Sequence, residues 1–243
     1  MQKFISYPIS IIYYLLFGSF LCLFHPIQWI CFNWFGYEAH KKSVSILNFF
    51  LVRTTHLLGT TYDFQNRDKL PKDVPLIIVA NHQSLYDIPP IIWFMRDWHP
   101  KFISKKELGK GIPSVSYNLR HGGSVLIDRN DARQALTALK EFGQYIEKNK
   151  YSAVIFPEGT RSKDGVPKRF SENGLKMLTK FAPSAYVIPM TINNCWKLNK
   201  YGMFPLEVGV NITFELHEPI KADSLEFVKL FEKVENTIKN AVI

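Results

Sequence analysis

From Phe4 to Tyr37 the chain carries no Asp, Glu, Lys or Arg. This run exceeds the ~18 apolar residues that a membrane-crossing helix needs. It also holds much of the apolar excess of a chain that is 47% hydrophobic with 19 Phe. His25-Pro26 interrupts the run, and Pro26 is predicted to kink or end the first helix. A polar cluster follows at Glu38, His40, Lys41 and Lys42. Then comes a second apolar run, Ile46 to Leu58, broken by Arg53 and His56. It is short and mixed, as in an interfacial helix. Lys3 and the apolar run resemble a signal peptide, but no A-x-A site follows and the hydrophobicity continues well past one. Trp29 and Trp34, with Gln28 and Asn33, suit a lipid–water boundary. Residues 1–60 are therefore read as a membrane-associated helical hairpin. A soluble hairpin packed on the rest of the chain is the alternative.

After Thr60 the composition becomes globular. Short apolar runs read as strands covered on both faces: 75–80, 124–127, 153–156, 185–188 and 208–216. Helical patterns alternate with them. From Asp131 to Lys148, residues Ala132, Ala135, Leu136, Leu139, Phe142 and Ile146 share one face. Leu175, Leu178 and Phe181 repeat at three-residue spacing. The tail from Asp223 to Ile243 starts with Asp223 and Glu226 as a capping pair and continues with Val228, Phe231, Val234 and Ile238. Alternating strands and helices predict an α/β domain over residues 61–243. Only 38–45 and 59–74 read as linkers.

The formal net charge of +9 favours anionic partners, namely phospholipid headgroups, phosphorylated substrates or nucleic acid. Nucleic acid would rest on charge alone. The three cysteines, Cys22, Cys31 and Cys195, form no complete disulfide set and show no metal-ligand spacing. They suit small buried positions in a reducing, cytosol-facing domain.

The 75–80 strand runs directly into Asn81-His82-Gln83-Ser84-Leu85-Tyr86-Asp87. Loops at strand ends are where α/β folds place reactive groups. A His and an Asp in contact can act together, the imidazole taking a proton and the carboxylate orienting it. Five positions on a regular helix would set the two about 140° apart, so the pair requires a turn between its members. A purely structural reading is also open. Ser84 and Asp87 form an S-x-x-D capping box, or Asp87 itself caps a helix whose first turn holds Pro89.

This block resembles the N-H-x-S-x-x-D block of the glycerolipid acyltransferases, in particular those acting on 1-acylglycerol-3-phosphate. Further blocks agree in the family's order. Gly123 to Arg129 is similar to the second, Phe156-Pro-Glu-Gly-Thr-Arg-Ser162 matches the third, and Val187 to Ile192 resembles the fourth. Lys105-Lys-Glu-Leu108 matches the lysine segment between the first two. The fourth block departs from the pattern with Met190, where a smaller β-branched residue is expected.

The resemblance implies a mixed sheet flanked by helices, as in glycerol-3-phosphate acyltransferases, behind a two-helix membrane segment. It implies an O-acyltransferase at the inner or an equivalent membrane. His82 would be the general base and Asp87 its orienter, with direct attack and no acyl-enzyme. Consistently, Gly122-Gly-Ser-Val-Leu126 is not a G-x-S-x-G nucleophile elbow. The donor would be acyl-CoA or acyl-carrier protein as co-substrate, with no resident cofactor or metal. The lysophospholipid's phosphate would lie at Glu158, Gly159, Thr160 and Arg161, where Gly159 frees the turn and Arg161 offers a bidentate fork. Lys105 and Arg129 are further phosphate candidates, although Lys106 could replace Lys105. Asn81, Ser84, Asp128 and Pro189 would support the site, Asp128 by pairing with Arg129 and Pro189 by shaping the loop after a core strand.

Three alternatives share these residues or part of them. One is transfer to another lyso-lipid or to glycerol-3-phosphate, one is a non-catalytic protein that binds anionic lipid, and one is a lipid esterase. Asn211-Ile-Thr213 fits a glycosylation sequon but reads as strand. His40, His121 and His217 lack partners at useful spacing and read as surface or core histidines.

Overall fold

The computed structural model describes residues 2–243. Its first element, α1, runs from Gln2 to Thr55 and is helical at every residue except Gly36, whose φ of 79° and ψ of −170° lie where only glycine settles readily. The helix does not end at Pro26. A straight helix would hold Phe20 and Phe50 about 45 Å apart, yet their rings stack at 4.8 Å. The chain therefore doubles back at Gly36, and Phe24, Leu47 and Leu51 form a small core between the two arms. The segment 38–45, read as a linker, is the start of the second arm.

Strands β1 (Thr61–Gln65), β2 (Leu76–Ala80), β3 (Pro100–Lys105), β4 (Val125–Ile127), β5 (Ser152–Ile155), β6 (Tyr186–Asn193), β7 (Asn211–Leu216) and β8 (Ile220–Lys221) form one sheet. Its order is β1-β7-β6-β2-β5-β3-β4, with β8 beside β6. The ladders are parallel except for β6–β7 and β6–β8, so the sheet is mixed. Helices α2 (Ile88–Phe94), α3 (Val115–His121), α4 (Ala132–Asn149), α5 (Glu172–Phe181) and α6 (Phe227–Asn240) complete the domain.

The alternation of β2 explains the layering. Side chains of successive strand residues point to opposite faces. Leu76, Ile78 and Ala80 face a core shared with Tyr13, Val44, Tyr86 and Ile91 of α1, the loop after β2 and α2. Ile77 and Val79 face Phe142, Ile146, Leu178 and Val234 of α4, α5 and α6. All five β2 residues are buried, which is why the strand reads as an unbroken apolar run.

Several boundaries differ from the sequence reading. β1 occupies part of the expected 59–74 linker, and β3 gave no apolar run because Lys101 is its second residue and Lys105 its last. In α4, Asp131 caps the helix by accepting from the Gln134 N–H. Leu139, Phe142 and Ile146 are buried, but Leu136 is exposed. The last helix starts at Phe227, with Asp223 paired to Lys221 instead of capping it. Its Val228 is exposed, and Leu230 takes the inward position. Pro189 lies inside β6, not after it. Its missing N–H falls where the antiparallel ladder is interrupted, between β8 ending at Val187 and β7 beginning at Met190.

The first arm of α1 keeps Phe4, Ile11, Ile12, Leu15, Leu23, Trp34 and Phe35 exposed. This segment is long and apolar enough to cross a membrane. A contiguous apolar surface of this kind marks a membrane or partner face. The reversal at Gly36 gives a direct test. An added Cβ meets no atom within 4 Å at Gly36 or at Gly18, but only Gly36 has positive φ. Gly36→Ala should therefore destabilise the protein by about 1–3 kcal/mol through backbone strain, read as a lowered Tm in detergent. Gly18→Ala should be neutral or slightly stabilising.

Candidate active site

The sheet assembles the site by delivering loops from the carboxyl ends of adjacent parallel strands. β2 leads into Asn81-His82, β5 into Phe156-Pro157-Glu158, β3 ends at Lys105, and β4 leads into Asp128-Arg129. Asn81 anchors the first loop. Its side chain accepts from the Ile192 N–H at 2.7 Å and donates to the Ile192 carbonyl at 2.8 Å, tying the end of β2 to β6.

The next six residues turn tightly around one carboxylate oxygen. Asp87 Oδ2 accepts from His82 Nδ1 at 2.7 Å, from the Gln83 N–H at 2.8 Å and from the Ser84 N–H at 2.9 Å. Asp87 is fully buried. The capping box is present as well, with Ser84 Oγ accepting from the Tyr86 N–H. The two readings of this motif are thus one arrangement, in which the box supplies the turn that brings residues 82 and 87 together. Ser84 Oγ also donates to Asn199 Oδ1 at 2.7 Å. Pro89 sits in the first turn of α2, as its absent N–H allows.

The His82 ring stacks on Phe156 at 4.1 Å with an interplanar angle of 21°, and its side chain is 17% exposed. With Nδ1–H donated to a carboxylate, the tautomer leaves Nε2 with a free lone pair. The loop after β5 is bound to this one through the main chain. Glu158 Oε1 accepts from the His82 N–H at 2.7 Å and Oε2 from the Lys168 N–H at 2.8 Å. The Ser162 N–H donates to the His82 carbonyl at 2.8 Å. Burial raises the Glu158 carboxyl pKa, and these two N–H bonds only partly offset that effect. In this structure both Glu158 oxygens are taken up by main-chain N–H groups of the two loops.

The cationic candidates divide into two groups. Arg161 and Lys105 are exposed, and among the described residues their charged ends make no hydrogen bond or ion pair. Arg129 donates to the Gly159 carbonyl, so it braces the turn in which Gly159 adopts a φ of 66°. Thr160 is exposed beside it. Asp128 does not pair with Arg129. It accepts from the Asn130 N–H at 3.0 Å and lies 3.7 Å from Lys106 Nζ, which leaves Lys105 as the unpaired lysine.

Three contributors were given no role at the site by the sequence, although Phe156 opens the third block. Phe156 backs the imidazole, Asn199 holds Ser84, and Cys195 lies against Asp87, its thiol pKa pushed up by burial first and by that carboxylate second. Each is distant in sequence from the residue it serves, so no local spacing could reveal it.

The acyltransferase family model matches residues 61–193. A chloroplastic 1-acyl-sn-glycerol-3-phosphate acyltransferase of Brassica napus is 32% identical over 67% of this chain and 47% of its own. A 1-acyl-sn-glycerol-3-phosphate acyltransferase of Helicobacter pylori is 37% identical over 54% of this chain and 53% of its own. The chain thus spans about half the length of these curated relatives. The crystal structure of the 1-acyl-sn-glycerophosphate acyltransferase of Thermotoga maritima superposes with a TM-score of 0.82 at 26% identity, covering 99% of this chain and 95% of that one.

The imidazole geometry can be read in solution. Nitrogen-15 NMR of ring-labelled protein should show the neutral form of His82 protonated at Nδ1 and bare at Nε2. Asp87→Asn should weaken that single-tautomer signal, because a neutral amide oxygen accepts more weakly than a carboxylate and the amide NH2 can donate to Nδ1 instead.

Proposed function

The chain belongs to the acyltransferase family, and from that premise we propose that it transfers a fatty acyl group from acyl-CoA or acyl-carrier protein to the sn-2 hydroxyl of 1-acylglycerol-3-phosphate, making phosphatidate. The relatives' names support the acceptor. The observation that carries the mechanism is the 2.7 Å bond between His82 Nδ1 and Asp87 Oδ2, with Nε2 left free on a partly exposed ring.

A hydroxyl is a poor nucleophile near neutral pH, so a positioned base matters. Nε2 of His82 takes the hydroxyl proton as the oxygen attacks the thioester carbonyl carbon. The C–O bond forms, the C–S bond breaks, and the imidazolium returns its proton to the departing thiolate. Asp87 keeps Nδ1 protonated and offsets the positive charge on the ring during the step. Arg161 and Lys105, whose charged ends are free, bind the acceptor's phosphate, and Arg129 holds the turn that presents it. The exposed apolar side of α1 attaches the protein to the membrane, with the catalytic domain on the cytosolic side, so that a lipid acceptor reaches the site without leaving its leaflet.

A transfer assay on purified protein with a panel of lyso-lipids tests this reading. His82→Ala should lose about 10²–10⁴-fold in turnover while still binding vesicles. Full activity in that variant would remove His82 as base. Arg161→Ala should mainly raise KM for the phosphorylated acceptor, and an unchanged KM would overturn the phosphate assignment. Preference for glycerol-3-phosphate or another lyso-lipid in the panel would replace the acceptor named here.

A further inference from the structure

A second cationic site lies at the opposite ends of the strands. Lys101 follows the first residue of β3, and its neighbour Pro100 is in register with Ser152, the first residue of β5. A narrow cleft of about 20 Å³, room for a single oxygen of a ligand, lies there between the Gly36 reversal and the sheet, lined among others by His40, Lys41, Arg96, His99 and Lys101. None of the residues assigned above to catalysis or acceptor binding lines it.

The cleft is built from buried polar groups. Lys101 is 6% exposed, and its ammonium lies 4.9 Å from the ring centre of Tyr37 and 5.4 Å from that of Tyr151. Lys41 Nζ donates to His99 Nε2 at 2.7 Å, and the other nitrogen of that ring, Nδ1–H, donates to the Tyr37 hydroxyl at 3.2 Å. His40 is fully buried, and neither ring nitrogen has a partner. Two carboxylates, Glu38 and Asp97, are near enough for their fields to reach the cluster. Among the described residues, neither forms an ion pair with Lys41, Arg96 or Lys101.

A buried cation without a counter-charge is costly. The cost is visible in the titration of these groups. Burial first and Lys41 second push the Lys101 ammonium down to about 7. Burial, Lys41 and Lys101 push His99 down to about 4. A bound anion would remove that repulsion and give His40 the partner it lacks.

We propose that this cleft is a second anion site, which binds a phosphate group through Lys101, Lys41 and His40 at the foot of the helical hairpin. Trp34 and Phe35 are exposed just before the reversal at Gly36. They precede Tyr37, which lines the cleft, by three and two positions and are the kind of aromatic residues that settle at headgroup level. The phosphate of a membrane phospholipid is therefore within reach, as is free phosphate. The site is independent of the acceptor reading.

The test uses the full-length protein in neutral detergent at fixed pH and ionic strength, with Tm as readout. One arm adds inorganic phosphate, and the other replaces neutral lipid in mixed micelles with phosphatidylglycerol. Wild type should gain about 2–4 °C or more in at least one arm, and Lys229→Met, which removes an exposed cation outside both sites, should gain as much. Lys101→Met and Lys41→Gln should lose most of that gain, keeping only what the acceptor site contributes. A response to both ligands would assign a site open to free phosphate, and a response to the lipid alone would assign a headgroup site. No response of wild type in either arm, or an equal response in a folded Lys101→Met or Lys41→Gln variant, would overturn the proposal.

Discussion

One carboxylate oxygen, Asp87 Oδ2, collects three N–H donors from three consecutive residues, His82, Gln83 and Ser84. Two of these donors are main-chain, so the same atom that orients the imidazole also dictates the path of the backbone carrying it. The turn and the tautomer are not separable: a loop that relaxed would free the ring, and a ring that rotated would leave one of three converging bonds unmade. Burial of the carboxylate strengthens each bond, because water cannot compete for it.

The rest of the domain acts by supporting that turn. Asn81 clamps its start to β6, Glu158 receives the His82 N–H from the neighbouring loop, and Phe156 backs the ring. These residues reach one another because β2 and β5 are adjacent and parallel. A parallel pair releases both chains at the same edge, and an antiparallel pair would have sent them to opposite ends. The sheet order therefore explains why blocks far apart in the chain meet; the antiparallel ladders that β6 forms with β7 and β8 do not separate them.

Much of this was legible in the amino acids. β2 and β5 are continuous apolar runs because helices cover both faces, and the loops that follow them carry motifs whose order identifies the family. The His82–Asp87 contact follows from spacing once the capping box is recognised as the turn it requires. What stayed hidden depended on contacts between distant segments. β3 carries a buried lysine as its second residue, set against the rings of Tyr37 and Tyr151, which no local pattern announces. Arg129 bonds to a carbonyl thirty positions away instead of to its neighbour Asp128. The hairpin turns at Gly36, whose dihedral angles exclude other residues, and not at Pro26, which a helix can absorb when the groups it frees find other partners.

The first arm of α1 is fastened to its own domain at several levels along its length. Ser10 Oγ accepts from the Leu206 N–H, Tyr14 reaches Met203 and Tyr86, the Leu21 carbonyl and His25 receive Ser114, and Asn33 meets Tyr117. Polar ties spread over that distance leave the helix no free length to project away from the protein. It lies like a keel along the body, and under the membrane attachment proposed above its outer flank is the side offered to hydrocarbon.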